Sequence, residues 1–336
     1  MAGVWSLRDM VDLEAVRSWL PPSWVLATAG SAVVAYLIYK SVRILRTDCD
    51  LTLMSKSLRP QYFSGRVVWV TGASSGIGEA LCRELSKHGA LLIMSARSDQ
   101  TMETIKQSLA HPENAKILPL DLSDAKICSS ATEKALELFG RVDILINNAG
   151  VSQRCFFMDT DEGTDDAMMQ INYKAPRTLT QGVIPGMLEQ DFGHVVNISS
   201  ICGVSGMPLR STYCASKFAL RGLTHTLRYE FHDKKNLRFS LVCPGPVQTS
   251  GDQNSHIGGG RLHGKSDDLN QQRMTAQRCA QLTLVAISNQ LLEVWVSRKP
   301  ALYVPYLAHY APSTLHFLWR ARSGAFIHET MGRSSY

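Results

Sequence analysis

The stretch RVVWVTGASSGIG, residues 66–78, decides how the rest of the chain is read. Its first half is a short apolar run rich in valine, of the kind that forms a strand buried on both faces. Its second half places glycines at 72, 76 and 78, spaced G-x-x-x-G-x-G, and opens a helix over about residues 77–87. This differs from the G-x-G-x-x-G fingerprint, but the physics is shared: small residues let backbone N–H groups and a helix N-terminus approach a pyrophosphate. Thr71, Gly72, Ser74, Ser75, Gly76, Ile77 and Gly78 are therefore candidate cofactor-binding residues. A plain strand-to-helix turn is the alternative; the position after a first strand and before a helix favours the phosphate reading.

Strand and helix patterns alternate from there. LLIMSAR (91–97), AKILPLDLS (115–123), VDILINNAG (142–150), HVVNISS (194–200) and LRFSLVCPG (237–245) read as further strands, with ALYVPY (301–306) as a seventh. Continuous apolar strands separated by amphipathic helices imply a parallel sheet covered on both faces. After the second strand, where an NAD site usually carries an acidic residue, stand Ser95, Ala96 and Arg97. An arginine there suits the 2′-phosphate of NADP; a solvated surface arginine is the alternative. Asp121 and Leu122 follow the third strand, where a carboxylate can accept a bond from the adenine amine. Asn148, Ala149 and Gly150 follow the fourth, with small side chains that leave room for a cofactor. Residues 249–268 are rich in Gly, Ser, His and Asn and read as a mobile loop. His256 and His263 in it read as solvated rather than as metal ligands.

The chemical end lies in STYCASKFALRG, residues 211–222. Tyr213 and Lys217 share one helix face at i and i+4. A free phenol has a pKa of about 10, and a nearby cation favours the phenolate. Tyr213 can then exchange a proton with a carbonyl or alcohol near neutral pH. Ser200, at the end of the fifth strand, can hold the same oxygen. Asn172, in QINY (170–173), can hold a water that relays protons to Lys217.

Taken in order, TGxxxGxG, NNAG, an Asn, a Ser, YxxxK and a following PG resemble the short-chain dehydrogenase/reductase family over about residues 65–305. The resemblance implies a doubly wound, Rossmann-type α/β domain with a parallel sheet of about seven strands and helices on both faces. It implies Asn172, Ser200, Tyr213 and Lys217 as the catalytic set, with Tyr213 and Lys217 also touching the cofactor. It places Pro244, Gly245, Val247 and Thr249 beside the nicotinamide. The flanking stretches LRTDCDLTLMSKSLRP (45–60), VSQRCFFMDT (151–160), CPGPVQ (243–248) and EVWVSRKPALYVPYL (293–307) are similar to a membrane-anchored branch near the 11-beta-hydroxysteroid dehydrogenases. That branch implies an endoplasmic-reticulum carbonyl reductase using NADPH on hydrophobic ketones or aldehydes such as steroids, retinoids or xenobiotic carbonyls. An NAD(P)-dependent alcohol dehydrogenase, such as one oxidising retinol or hydroxysteroids, stays open, with NADH as the lesser coenzyme. So does a non-catalytic membrane protein that binds lipid or a partner.

Composition bounds these readings. The chain has 336 residues, 45% hydrophobic and 19% charged, ample for a core. A formal charge of +6 without a basic run gives no sign of nucleic-acid binding. The eight cysteines include no C-x-x-C pair and no zinc-like spacing, so no metal is expected. WVLATAGSAVVAYLIY (24–39) is an uncharged run of sixteen residues. With Pro21 and Pro22 it is long enough to predict a transmembrane helix over about residues 21–39, a signal peptide being the alternative. The resulting domains are an anchor segment (1–46), a linker (47–64), the catalytic domain (65–305) and an aromatic, basic tail (306–336). Excess Lys and Arg after the span favour a cytoplasmic catalytic domain at the reticulum membrane, with a luminal one open. The tail is expected either on membrane lipid or packed on the domain or on a second copy in a homodimer.

Overall fold

The computed structural model describes residues 23–249, 255–257, 259, 261–262, 264 and 273–331. Pro21, Pro22 and most of the loop expected over 249–268, including His263, lie outside the described residues. The chain divides into two compact units, residues 1–47 and 48–336.

In the first unit, helix α1 spans Ser23–Arg46. Here the expectation of a transmembrane helix is corrected: among the described residues, no helix is long and apolar enough to cross a membrane. Thr28 and Ser31 interrupt the apolar run, and Lys40, Arg43 and Arg46 charge its last turns. The expectations that depended on the span go with it: the endoplasmic-reticulum membrane location, the orientation across that membrane, and membrane lipid as a partner.

The second unit holds a seven-stranded sheet of order β3-β2-β1-β4-β5-β6-β9, parallel at every pairing. Its strands are β1 (Val67–Thr71), β2 (Leu91–Ser95), β3 (Ala115–Ile117), β4 (Ile144–Asn147), β5 (Gly193–Ile198), β6 (Leu237–Pro244) and β9 (Glu293–Val296). Two short strands, β7 (Val247–Gln248) and β8 (Met274–Thr275), pair separately. The helices between strands are α2 (Gly76–Lys87), α3 (Asp99–Gln107), α4 (Ala125–Phe139), α5 (Glu162–Met169), α6 (Ala175–Glu189), α7 (Ser211–Glu230) and α8 (Ala276–Ser288). Alternate side chains of each central strand enter opposite cores. Val68 and Val70 of β1 join Ile144 and Ile146 of β4 and the inner faces of α2 and α8. Val67 and Trp69 join Leu145 and the inner faces of α4 and α6. Every residue of β1, β4 and β5 is buried, which explains why these strands are mostly apolar on both faces. Residues 48–64 pack too: Leu53 and Phe63 are buried in the first core.

The seventh strand is not ALYVPY but EVWV. Glu293–Val296 continues the sheet beside β6, while Tyr303–Tyr310 forms helix α9. Pro305 falls in the first turn of α9, where its missing N–H would have had no intrahelical acceptor. Helix α10 (Pro312–Met331) follows, and Leu315 is buried against the domain. Most of the other described α10 side chains are exposed.

The sheet carries a buried polar relay at His194. His194 of β5 bonds the Tyr62 hydroxyl at 2.9 Å and the Ser240 hydroxyl at 2.8 Å. Burial lowers its imidazole from 6.5 to about 3, helped by Arg238 and Arg66. The unfolded chain therefore takes up this proton below about 6.5, and the folded protein does not until about 3. Stability is full above that window and falls as pH falls through it. Between pH 7 and pH 5 this site should remove about 2 kcal/mol of unfolding free energy. Urea unfolding of wild type and His194→Gln at both pH values measures it; the variant should lack this part of the slope.

Candidate active site

The C-terminal ends of β1, β2, β4, β5 and β6 open into one cavity of about 880 Å³. Among the residues singled out from sequence, Thr71, Gly72, Ser74, Ser75, Gly76, Ile77, Arg97, Asp121, Leu122, Asn148, Ala149, Gly150, Ser200, Tyr213, Lys217, Pro244, Gly245, Val247 and Thr249 line it. Gly78 and Asn172 stand behind the wall.

The glycine turn is built for a close approach. Gly72 and Gly76 have φ of +69° and +58°, in the left-handed region that favours glycine. A Cβ on Gly72 would lie 2.8 Å from Ala149 Cα. Ser75, the residue before α2, makes no side-chain capping bond, so the helix's first N–H groups face the cavity mouth without a protein cap. These features fit a dinucleotide pyrophosphate. Thr71 Oγ1 accepts bonds from the N–H groups of Asn148 (3.0 Å) and Ala149 (3.1 Å). Asn148 Nδ2 donates to Thr71 O at 2.9 Å, which fixes the loop after β4 to the turn after β1.

Gly78 enforces the same closeness from behind. A Cβ there would sit 2.0 Å from Gly72 O and 2.6 Å from Asn148 Nδ2. Helix propensity alone favours alanine by about 1 kcal/mol. Overpacking acts the other way and should dominate, so Gly78→Ala should lose about 1–3 kcal/mol of stability. It should also weaken dinucleotide binding at least about tenfold by displacing the turn, as fluorescence titration with reduced nicotinamide dinucleotide would read. A stabilised variant with unchanged affinity would contradict this account.

At the adenosine end, Ser95 is buried and its Oγ accepts from Trp69 Nε1 at 2.9 Å. Arg97 is the exposed group there. Asp121 Oδ1 is taken by the Ser123 N–H (2.9 Å) and hydroxyl (2.8 Å). Burial opposes its ionisation, but those two bonds and Arg97 outweigh it and hold the carboxyl below its ordinary range. Gly245 has a reason of its own: a Cβ would lie 2.0 Å from Ser297 Oγ, so the β6 exit runs tight against the residue after β9.

Tyr213 and Lys217 lie in the first turns of α7, facing Ser200 at the end of β5. The Lys217 Nζ lies 5.9 Å from the centre of the Tyr213 ring and donates to Ile198 O at 3.1 Å. Burial lowers its ammonium to about 8. Burial likewise pushes the Tyr213 phenol up, and the Cys202 thiol adds to that, while Arg210 and a Ser200 hydrogen bond pull it down. The expected lowering by a nearby ammonium is thus outweighed in the protein alone. Cys202 and Cys214 are neighbours beside the site, and each affects the other's ionisation.

Asn172 occupies a π-helical turn, Gln170–Lys174, between α5 and α6. Its Oδ1 accepts from Val151 N (2.9 Å) and its Nδ2 donates to Val151 O and Ser216 Oγ, both at 3.0 Å. Fully buried, this side chain is occupied in joining the loop after β4 to α7. A Cβ on Gly150 would fall 3.0 Å from Asn172 Oδ1 and 3.4 Å from Lys217 Nζ, so that glycine keeps the approach to the lysine open.

Sequence reasoning passed over three parts of the site. Gln153 is buried, and its Oε1 accepts from the N–H groups of Thr212 (3.0 Å) and Tyr213 (3.2 Å). It caps α7 in place of Arg210, which supplies no side-chain cap. Cys202 and Arg210 line the cavity beside Tyr213. Tyr303, Leu307, Leu315, Leu318, Trp319 and Phe326 of α9 and α10 form an apolar wall. The aromatic density of residues 303–326 was the available signal for that wall.

Comparison with known proteins agrees with this construction. Residues 66–257 match the short chain dehydrogenase family. The chain is 40% identical to human "Dehydrogenase/reductase SDR family member 7" over 88% of its own length and 89% of that protein's. It is 34% identical to a Drosophila melanogaster "Dehydrogenase/reductase SDR family protein 7-like" over 94% and 96% of the two chains. Among solved structures, a short-chain dehydrogenase from Streptomyces avermitilis superposes with a TM-score of 0.67 at 27% identity, covering 77% of this chain and 97% of that one. A metagenomic short-chain oxidoreductase solved in complex with NADP gives 0.58 at 28% identity, covering 70% and 97%. The chain therefore belongs to the short-chain dehydrogenase/reductase family, NAD(P)-dependent oxidoreductases that interconvert carbonyls and alcohols.

Proposed function

We propose that the protein is an NADPH-dependent reductase of hydrophobic ketones or aldehydes. One observation carries the reading: a single cavity joins the glycine turn and Arg97 to Ser200 and Tyr213, and then to the apolar wall of α9 and α10. Bound NADPH would supply the hydride. The turn after β1 and the N-terminus of α2 hold its pyrophosphate, and Arg97 meets its 2′-phosphate as a planar, permanently charged donor. Solution of NADP with the 28%-identical metagenomic relative accords with that choice.

Tyr213 would give its proton to the oxygen of the substrate carbonyl. The Ser200 hydroxyl donates to the same oxygen and fixes it within reach of the phenol. Lys217, from its place against Ile198 O, grips the nicotinamide ribose and adds positive charge beside Tyr213. Asn172 and Gln153 hold the loop and helix that carry these groups. The apolar wall excludes water from the carbonyl and selects substrates with large apolar bodies; steroids, retinoids and xenobiotic ketones belong to that class. The test is NADPH consumption by purified protein across a panel of such carbonyls and small polar ones such as acetone and pyruvate. Bulky apolar carbonyls should give the higher kcat/KM. A preference for the small polar group would remove the substrate assignment.

A further inference from the structure

We propose that Arg210 is a second cation acting on Tyr213, a positioning residue for charge that sets where on the pH scale the phenol exchanges its proton. The inference rests on the reading of Tyr213 as proton donor.

The Arg210 guanidinium lies 5.7 Å from the centre of the Tyr213 ring, against 5.9 Å for Lys217 Nζ. The two cations differ in what holds them. Lys217 is buried, turned to Ile198 O, and has its own charge weakened by desolvation. Arg210 stands just before α7, half-buried, and its Nη1 donates to Ser152 Oγ at 3.0 Å. A neutral hydroxyl anchors it, and among the described residues it makes no ion pair. The Cys202 thiol beside it feels the same charge, which is among the influences that lower that thiol.

The groups facing the phenol come from three elements. Arg210, Cys214 and Lys217 come from α7 and the residue before it. Cys202 and Ser200 come from the turn after β5. Ser152, which holds Arg210, comes from the loop after β4. Among these influences burial and Cys202 raise the phenol's pKa, and Arg210 stands ahead of Ser200 among those that lower it. A unit charge about 6 Å from the ring centre in a partly screened site is worth on the order of one pKa unit to the phenol. The sign is set by charge: a cation favours phenolate, so removing it moves the midpoint up.

Tyr213 is titrated by ultraviolet difference absorbance in protein saturated with NADP+, with Tyr213→Phe subtracted. Arg210→Met should raise the midpoint by about one pH unit. Arg210→Lys should restore most of the wild-type value. Ser152→Ala, which only frees the guanidinium, should shift it the same way by less. If Arg210→Met does not fold, Arg210→Gln and Ser152→Ala carry the same test. In the alcohol-oxidation direction, the rising limb of kcat/KM should move alkaline by the same amount, a loss of about tenfold near neutral pH and little at the alkaline plateau. A merely structural arginine would lower the rate at every pH without moving the midpoint. An unmoved midpoint in folded, NADP+-binding Arg210 variants overturns the proposal. Failure of the parent reading looks different: turnover by Tyr213→Phe would refute the tyrosine's role and leave this titration as measured.

Discussion

Tyr213→Phe should abolish carbonyl reduction while NADPH still binds. The substitution removes one oxygen from a half-buried ring in the cavity wall, so the volume of the site is nearly kept. What is lost is the proton donor at the carbonyl oxygen. Ser200 remains and can polarise that oxygen, but it is a far weaker acid than a phenol between two cations. General-acid contributions of this kind are worth about 10²–10⁴ in rate, and the upper half of that range is expected here. The loss should fall on kcat, because Tyr213 acts on the developing alkoxide rather than on the bound ketone. Retention of more than about a tenth of the wild-type kcat would assign the proton to another group.

Arg97→Asp should reverse the coenzyme preference. Arg97 is exposed at the end of β2, where the neighbours Ser95 and Ala96 offer no other charge. Ser95 is also committed to Trp69, so it cannot turn to a ribose. Removing the arginine deletes a charge-assisted pair with the 2′-phosphate, and the new carboxylate repels that dianion. The same carboxylate can accept bonds from the two ribose hydroxyls of NADH. The ratio of kcat/KM for NADPH over NADH should fall by about 10²–10³, most of it in KM. An unchanged ratio would remove Arg97 from coenzyme selection and point to other cavity cations. Asp121 gives an internal check: losing Arg97 removes one of the influences that hold its carboxyl down, so its pKa should rise.

The parts of this fold that were legible in the sequence are those written in local pattern. A buried strand, a glycine turn and a helix need only neighbours in sequence, and residues 66–78 show all three. Residues 301–306 have the apolar content of a strand, but Pro305 suits a helix start, and the strand came from residues 293–296 instead. Composition cannot separate two short apolar runs that compete for the same sheet edge. The span expected over residues 21–39 shows a similar limit, since an uncharged run reports hydrophobicity and not where the helix around it ends. Tyr213 and Lys217 were legible because both lie on one helix. Gln153 was not, because the N–H groups it caps stand about sixty positions away in sequence, and the Ser152 that holds Arg210 is as distant. Asn172 was recognised; what the sequence did not show is that its side chain ties the loop after β4 to α7.

The central claim is that this site moves a hydride from NADPH to a carbonyl carbon with Tyr213 as the acid. Its most direct measurement uses NADPH deuterated on the transferring face of C4, incubated with purified protein and a bulky apolar ketone, with mass spectrometry of the alcohol formed. The account predicts one deuterium at the carbinol carbon with wild-type protein and none above background with Tyr213→Phe. Bound NADPH without deuterium in any alcohol product, or equal labelling by the variant, would contradict it.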